Sequence, residues 1–520
     1  MTAPKKACRY GDYQTLCMVS VSLAFLAHAL FFNFLNDDAF ISFRYADNLV
    51  RHGELVYNPG ERVEGYTNFL WTLMMAGVIF LGFDPALWSR LLGVGLGLVT
   101  LWMLTGFVNH QVGERRISHT LPALLLAMAP AYACWATGGL ETQLFTCLLT
   151  GACLAYLRHH QPGPGRRSGS ALRVCALYLA LAGLTRPEGV LVAGLLLVLH
   201  GVGVRWQERR LRPCGLEWQS MGIFVGLYGA YTAWRWWYYG WPFPNTYYVK
   251  AGAGALWGPG WVYFRSWVID HHVWCFPLCI WLTMKRWPRL SALAACLVAL
   301  YGLHVIRVGG DFMGLHRFLV PAMPVMALVI GLAAVHIVHG LRQRIRPILV
   351  VALSIGILAG LGFNSYRVSA RAMTVGSEGG VDRIGWLKMF HEQCEAIGRW
   401  LALHAHPDAS IATTAAGIIP YYSRLYTVDI LGLNDEWIAH QVPARGQRPG
   451  HTKSAPMSYL LSKDIDYMIY HPTVTKHPAE RREQDRRFWG AKGYMWRTIE
   501  IPNLRPPYWG FWQRQGGVSP

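Results

Sequence analysis

Two adjacent aspartates, Asp37 and Asp38, close the first apolar run of the chain, inside the stretch "FLNDDAFISFRYADNLVRHGELVYNPGERVEGYTNFLW" (34–71). A carboxylate placed there can take a proton from an attacking hydroxyl. The same stretch carries Arg44, Tyr66 and Asn68, and comparable residues recur in short polar gaps downstream. These are Glu141 in "WATGGLE", Arg186 and Glu188 in "TRPEG", Asn245 and Lys250 in "YYGWPFPNTYYVKAG", and Arg307, Asp311, His316 and Arg317 in "HVIRVGGDFMGLHRF". Arginine and lysine hold phosphate, arginine with a bidentate fork. Tyrosine and tryptophan rings stack on sugar faces and anchor at membrane interfaces. Carboxylates and cations gathered at headgroup level suit a substrate with a greasy tail and a phosphorylated sugar head.

The elements that must position these residues are membrane helices. Of 520 residues, 53% are hydrophobic and only 15% charged, well below the roughly 25% usual in soluble domains. Runs such as "LLGVGLGLVTLWMLTGFV" (91–108) and "ILVVALSIGILAGLGF" (348–363) approach the ~20 residues that cross a bilayer. The net charge of +19 comes largely from Lys/Arg clusters in gaps between such runs, at 5–9, 113–116, 158–167, 205–212, 285–289 and 342–346. That is the positive-inside pattern, and it excludes nucleic acid as the reason for the charge. The 11 cysteines lie mostly inside apolar runs, where a thiol acts as a small hydrophobe.

Eleven spans are expected, at 15–35, 86–109, 119–135, 141–157, 171–185, 189–204, 219–238, 262–284, 290–306, 318–340 and 347–363. The apolar stretch 69–83 is set aside as a helix in the outer interface. Only then do all the basic clusters fall on the cytoplasmic side, with the N-terminus inside and the C-terminus outside. The uncleaved first helix follows from the absence of a small-residue cleavage site. From about Asn364 the composition turns mixed α/β, enough for one small soluble domain. The expected organisation is mainly α: a membrane bundle over 1–363, with a first outer loop at 36–85, and a C-terminal periplasmic α/β domain over 364–520.

Each residue also has a plainer reading. Asp37 and Asp38 suit a helix N-cap, Arg186 can simply pair with Glu188, and "FPNT" is a turn sequence. His304 reads as a bonded core histidine, and His159, His160, His271 and His272 as solvated or interfacial. Their shared side is what favours chemistry.

Six stretches together carry a resemblance: "DDAFISFRYADNLVRHGELVYNPGERVEGYTNFLW" (37–71), "GLETQLF" (139–145), "LTRPEG" (184–189), "FPNTYYVKAG" (243–252), "GGDFMGLHRFLVPAMP" (309–324) and "ATTAAGIIPYYSRLYTVDILGLNDEWIA" (412–439). In this order they resemble the bacterial arabinofuranosyltransferases, membrane glycosyltransferases of the GT-C superfamily that use polyprenyl-phosphate sugars. The resemblance implies a GT-C-like bundle of about eleven transmembrane helices with its active site on the periplasmic face of the inner membrane. It makes Asp37 or Asp38 the catalytic carboxylate, Asp37 before Asp38. Arg44, Arg186, Lys250, His316 and Arg317 become candidates for the donor phosphate. Tyr66, Asn68, Glu141, Glu188, Asn245 and Asp311 become candidates for sugar or acceptor hydroxyls. The donor would be polyprenyl-phosphate D-arabinofuranose. The acceptor would be a cell-envelope glycan, lipopolysaccharide or a pilin, with membrane lipid around the chain. A divalent cation suits an oxygen-ligand site of this kind, and the sequence establishes none. One departure stands out: Ala415 lies where the resembled pattern often carries an aspartate. Mannose and aminoarabinose remain alternative sugars, and a lipid-linked-sugar transporter remains a rival class. A transporter should place ionisable groups mid-span and show repeated halves, and neither is evident. A non-catalytic sugar-binding scaffold would need the aromatic residues without Asp37.

Overall fold

The protein's structure, a computed structural model, describes residues 4–160, 169–209, 212–251, 254–446, 448 and 450–516. The basic clusters at 158–167 and 205–212 extend beyond the described residues, and the side chains of 5–9 lie outside them too. Contacts divide the chain into two compact units, one of 1–33, 89–232 and 256–374, the other of 34–88, 233–255 and 375–520. The 36–85 segment, expected as the first outer loop, therefore falls in the same unit as the C-terminal region.

The first unit is helical. Among the described residues of the whole chain, six helices are long and apolar enough to cross a membrane: Asp12–Phe32, Pro85–Val112, Glu188–Arg205, Pro288–Val308, Arg317–Arg342 and Pro347–Ala372. The chain is a multi-pass membrane protein. Pro347–Ala372 keeps only Val350, Val368, Ser369 and Ala372 buried, so nearly all of its apolar surface is left for lipid. Thr142–His159 is the opposite case, with every residue except Arg158 buried. A helix clad by other helices tolerates the threonines and glutamine of "TQLFTCLLTGACLAYLRH", which a lipid-facing helix does not.

Eleven spans are not reproduced as single helices. The expected 119–135 breaks into Leu121–Ala127 and Pro130–Cys134, because a proline disfavours helical geometry at the residue before it. The expected 262–284 breaks between Trp257–Asp270 and Phe276–Met284, with His272 in a left-handed conformation. The expected 219–238 runs through a π segment at Val225–Gly229. Proline in the first turn opens several helices, including Pro288–Val308, Met323–Arg342 and Pro347–Ala372, where the missing N–H removes a group that would lack a partner anyway.

The second unit joins helices to a sheet. Helix Asp37–His52 is amphipathic, starts at the N-cap Asn36 and stops at Gly53, whose φ of 71° supplies the left-handed turn. Phe69–Phe80 covers 12 residues, about 18 Å of helix, which falls short of a ~30 Å hydrocarbon core. Strands β1 (Ser377–Glu378) and β2 (Val381–Asp382) form a small ribbon before helix Ile384–His404. The main sheet contains β3 (Ser410–Thr413), β4 (Tyr426–Asp429), β5 (Tyr467–Thr475), β6 (Tyr494–Glu500) and β7 (Tyr508–Arg514). Its order is β4-β3-β5-β7-β6, parallel through β4-β3-β5 and antiparallel through β5-β7-β6. Ala412, Val428, Ile438, Leu460, Met468 and Trp512 are among its core. The chain leaves β3 for β4 on one side and returns to β5 on the other, so the carboxyl end of β3 is a switch point. Ligands of open α/β sheets bind at such points.

Candidate active site

The sequence candidates fall in both units, and each group is described by itself. Asp37, Asp38, Arg44, Tyr66, Asn68, Asn245 and Lys250 belong to the unit with the sheet; Glu141, Arg186, Glu188, Asp311, His316 and Arg317 belong to the helical unit.

In the sheet unit, Asn36 rather than either aspartate caps the first helix, its Oδ1 accepting from Asp38 N at 2.9 Å. Asp37 and Asp38 then sit in the first turn, where acids are favoured by the helix dipole. Both are partly exposed. The Asp37 carboxylate accepts from Gly417 N at 3.1 Å and from Ile418 N at 2.8 Å. A side chain at Gly417 would collide with the Asp37 carbonyl, so the loop after β3 can close on Asp37 only because 417 is glycine. Burial pushes the Asp37 carboxyl up to about 7, against the two backbone N–H groups and with the help of Asp38 and Asp429 nearby. Asp429 ends β4 and is pushed up to about 6, first by burial, while Asn434 and Leu431 N–H groups oppose it. Sequence reading did not single out Asp429; its place at the carboxyl end of a parallel strand is the signal that could have found it.

Arg44 is locked inside the protein. Its guanidinium donates to the carbonyls of Tyr57 (2.7 Å), Leu425 (2.8 Å) and Pro420 and to Asn58 Oδ1 (3.0 Å). With its donors spent on carbonyls, Arg44 holds helix Asp37–His52 against the β3–β4 crossover. Asn245 is similarly occupied, its amide donating to the carbonyls of Gly432, Leu433 and Asp435 at 2.9–3.2 Å. The Asn68 amide oxygen accepts from Ser42 and Thr72, both at 3.1 Å. Tyr66 meets Tyr239 hydroxyl to hydroxyl at 3.2 Å. Lys250 is exposed on helix Asn245–Ala251.

In the helical unit, Arg186 lies between Glu141 and Glu188. It donates to Glu141 Oε1 at 2.9 Å and to Glu188 Oε1 at 2.8 Å. The plain pairing reading of Arg186 is thus realised, with Glu141 as a second partner. His304 approaches Glu188 at 3.9 Å. Arg317 donates to Asp311 Oδ2 at 2.7 Å. Both guanidinium carbons sit 5.0 Å from the Phe318 ring centroid, so the two ion pairs share one aromatic ring. The turn that presents Asp311 depends on Gly309 and Gly310, at φ 91° and 78°, and any Cβ on Gly310 would meet the Tyr263 ring. His316 is buried, its Nε2 2.8 Å from Ser266 Oγ. Burial, then His271, holds its pKa well below the ordinary range, so it offers a hydrogen bond and no charge. Around these pairs the Tyr301 hydroxyl and His316 Nδ1 are buried without a hydrogen-bond partner among the described residues. Buried polar groups are rarely left so, and such orphans mark where a polar ligand could fit. Sequence reading missed Tyr263, Tyr301 and Phe318, which lie inside apolar runs.

Of known proteins, ArnT from Cupriavidus metallidurans, solved bound to undecaprenyl phosphate, aligns over 97% of this chain and 99% of its own with a TM-score of 0.64 at 13% identity. The fold is that of ArnT. Its apo structure aligns equally broadly, at a TM-score of 0.62. The helical membrane bundle with a C-terminal α/β region expected from sequence is therefore the architecture observed, and it is shared with ArnT. By sequence, the chain is similar to the terminal β-(1→2)-arabinofuranosyltransferases of Corynebacterium glutamicum and Mycobacterium tuberculosis. The first is 26% identical over 378 residues, 62% of this chain and 53% of the relative. The second is 28% identical over 331 residues, 56% of this chain and 51% of the relative. The chain spans about half the length of these curated relatives. A family profile described as "Domain of unknown function (DUF8728)" matches 386–512, from helix Ile384–His404 into β7.

Proposed function

We propose that this protein is a membrane glycosyltransferase that moves a sugar, D-arabinofuranose in the first instance, from a polyprenyl phosphate to a hydroxyl of a cell-envelope glycan on the periplasmic face. The observation that carries the reading is the similarity to two terminal β-(1→2)-arabinofuranosyltransferases over more than half of this chain. In the reaction the acceptor oxygen forms a bond to C1 of the sugar. The bond from C1 to the phosphate oxygen breaks, and the acceptor proton passes to a carboxylate. Asp37 suits that last role: it is partly exposed, held by two backbone N–H groups, and has a proton affinity near neutrality, where a general base works best. Asp38 keeps that affinity high by its adjacent charge. Arg186 and Arg317 are proposed to stabilise the charge that develops on the leaving phosphate. Each already neutralises a carboxylate, so donor binding involves sharing or exchanging those partners. The Tyr301 hydroxyl suits sugar or phosphate oxygens. The donor set does not specify a divalent cation, and none is needed in this scheme. Arg44 and Asn245 are assigned to holding the fold.

The test compares transfer by purified wild type, Asp37→Asn and Asp38→Asn in lipid, with folding checked by thermal unfolding. The reading expects at least a hundredfold loss (~10² or more for a general base) in Asp37→Asn and a smaller loss in Asp38→Asn. Full turnover by folded Asp37→Asn would remove Asp37 from the chemistry.

A further inference from the structure

The helical unit carries a second buried polar cluster, at the other end of the helices that present Glu141 and Glu188. His159 and His160 close helix Thr142–His159, and His200 stands on Glu188–Glu208. His200 is twelve residues beyond Glu188, about 18 Å along the helix, so this cluster is separate from the Arg186 pairs. The sequence reading placed His159 and His160 at solvent or interface. The structure corrects it, because both are buried, at 3% and 5% exposure, with His200 at 8%.

One potential ligand nitrogen from each imidazole lies within 4.8 Å of the other two. His160 Nε2 and His200 Nδ1 are 3.1 Å apart, close to the ~3.3 Å between two nitrogens bound at 2.0–2.1 Å to one tetrahedral ion. The far nitrogen of His200, Nε2, lies 2.8 Å from Glu217 Oε1 on helix Gly215–Phe224. A carboxylate behind a histidine is the usual device that fixes the tautomer and leaves the near nitrogen's lone pair for a metal. Arg289 donates to the His160 carbonyl and steadies the backbone there. A largely apolar cavity of about 470 Å³ adjoins the cluster, with His200 and Glu217 among its lining residues. Three convergent buried imidazoles, one of them oriented by a partly buried carboxylate, have no evident part in moving a sugar.

We propose that His159, His160 and His200 bind one divalent transition-metal ion of the zinc class, with Glu217 as the orienting partner of His200. Nitrogen ligands select zinc-like ions over calcium or magnesium, which prefer oxygen. The ion would fasten the ends of Thr142–His159 and Glu188–Glu208 to each other and, through Glu217, to Gly215–Phe224. A fourth position stays open to water. Its role is to stabilise the bundle, and it takes no part in the reaction proposed above.

The test uses the full chain, purified in detergent without chelator or polyhistidine tag. Metal analysis after desalting is expected to give about one zinc per chain, as for a site with three protein ligands. A strong chelator is expected to lower the melting temperature and added zinc to restore it, since ligand bound to the native state stabilises it. His200→Ala is expected to retain no zinc and to melt at a temperature that chelator and zinc leave unchanged. If His200→Ala fails to fold, His159→Gln and cobalt(II) substitution of the wild type replace it. Tetrahedral cobalt absorption in wild type, absent in His159→Gln, supports the site. Wild type that binds no zinc and whose melting ignores both reagents overturns the proposal, as does zinc held equally by wild type and variants.

Discussion

At the scale of single residues, Arg186 and Arg317 of the helical unit differ from Arg44 in what they leave for a ligand. Arg44 spends its donors on protein oxygens, so Arg44→Lys, which cannot form the same fork, should cost on the order of 3 kcal/mol of stability. Thermal unfolding checks this, and a loss of donor affinity without a loss of stability would contradict it. Arg186 stands between two carboxylates, and Arg186→Gln should leave Glu141 and Glu188 facing each other with no cation between them. A change of that kind costs roughly 3–5 kcal/mol, visible as a lower melting temperature, and Arg186→Gln/Glu141→Gln should recover part of it. Asp37 gives a pH dependence. Its carboxyl is raised to about 7 in the fold, from ~3.9 in the unfolded chain. The protonated form is therefore the one the fold favours. The stabilisation is complete below pH ~4 and fades as pH rises through about 7. If Asp37 is the base, the transfer rate should run the other way, rising across the same interval. A transfer rate flat from pH 5 to 8 would remove it from that role.

At the scale of elements, the sequence made the helices legible because period and composition carry them, and it made the polar gaps legible because each is short and bounded. The helix expected within 69–83 appears as Phe69–Phe80, and the α/β character after Asn364 appears as the mixed sheet. Other features were not legible, for identifiable reasons. Whether "TTAAG" touches "NDD" depends on contacts 380 residues apart in sequence, and no local pattern reports them. The close approach at Gly417 looks like any glycine until the Asp37 carbonyl is seen against it. Asn245 and Arg44 looked like ligand-binding groups because polar type shows in a sequence and hydrogen-bond partners do not. His159 and His160 were misread because the helix end they occupy looks solvated in one dimension, and His200 was not singled out at all. From the same geometry, Gly417→Val should part the loop after β3 from Asp37. A variant still folded in its α/β region but much slower in transfer is expected; wild-type transfer would mean that this contact does not position the carboxylate.

At the scale of the whole molecule, the fold is shared with ArnT, and the proposed sugar is drawn from similarity to two arabinofuranosyltransferases, so the architecture and the proposed sugar rest on different observations. The proposed orientation across the membrane rests on the charge pattern alone. His52→Cys, on an exposed turn of the first outer loop, should react with an impermeant thiol reagent added outside intact cells. Cys214, exposed beside a basic gap, should react only after permeabilisation. Labelling of Cys214 from outside and of position 52 only from within would reverse the topology and take the proposed chemistry off the periplasmic face.

The central claim is the transfer of a sugar from a polyprenyl phosphate, and it is tested most directly by offering the purified wild-type protein in lipid a panel of carriers. The panel is polyprenyl-phosphate arabinofuranose, mannose and aminoarabinose, with a short arabinan and a lipid A as acceptors. The account predicts a glycosylated acceptor and free polyprenyl phosphate from the arabinofuranose carrier, in equal amounts and well above the other two. No transfer and no carrier cleavage with any of the three donors, by protein shown to be folded, would contradict it.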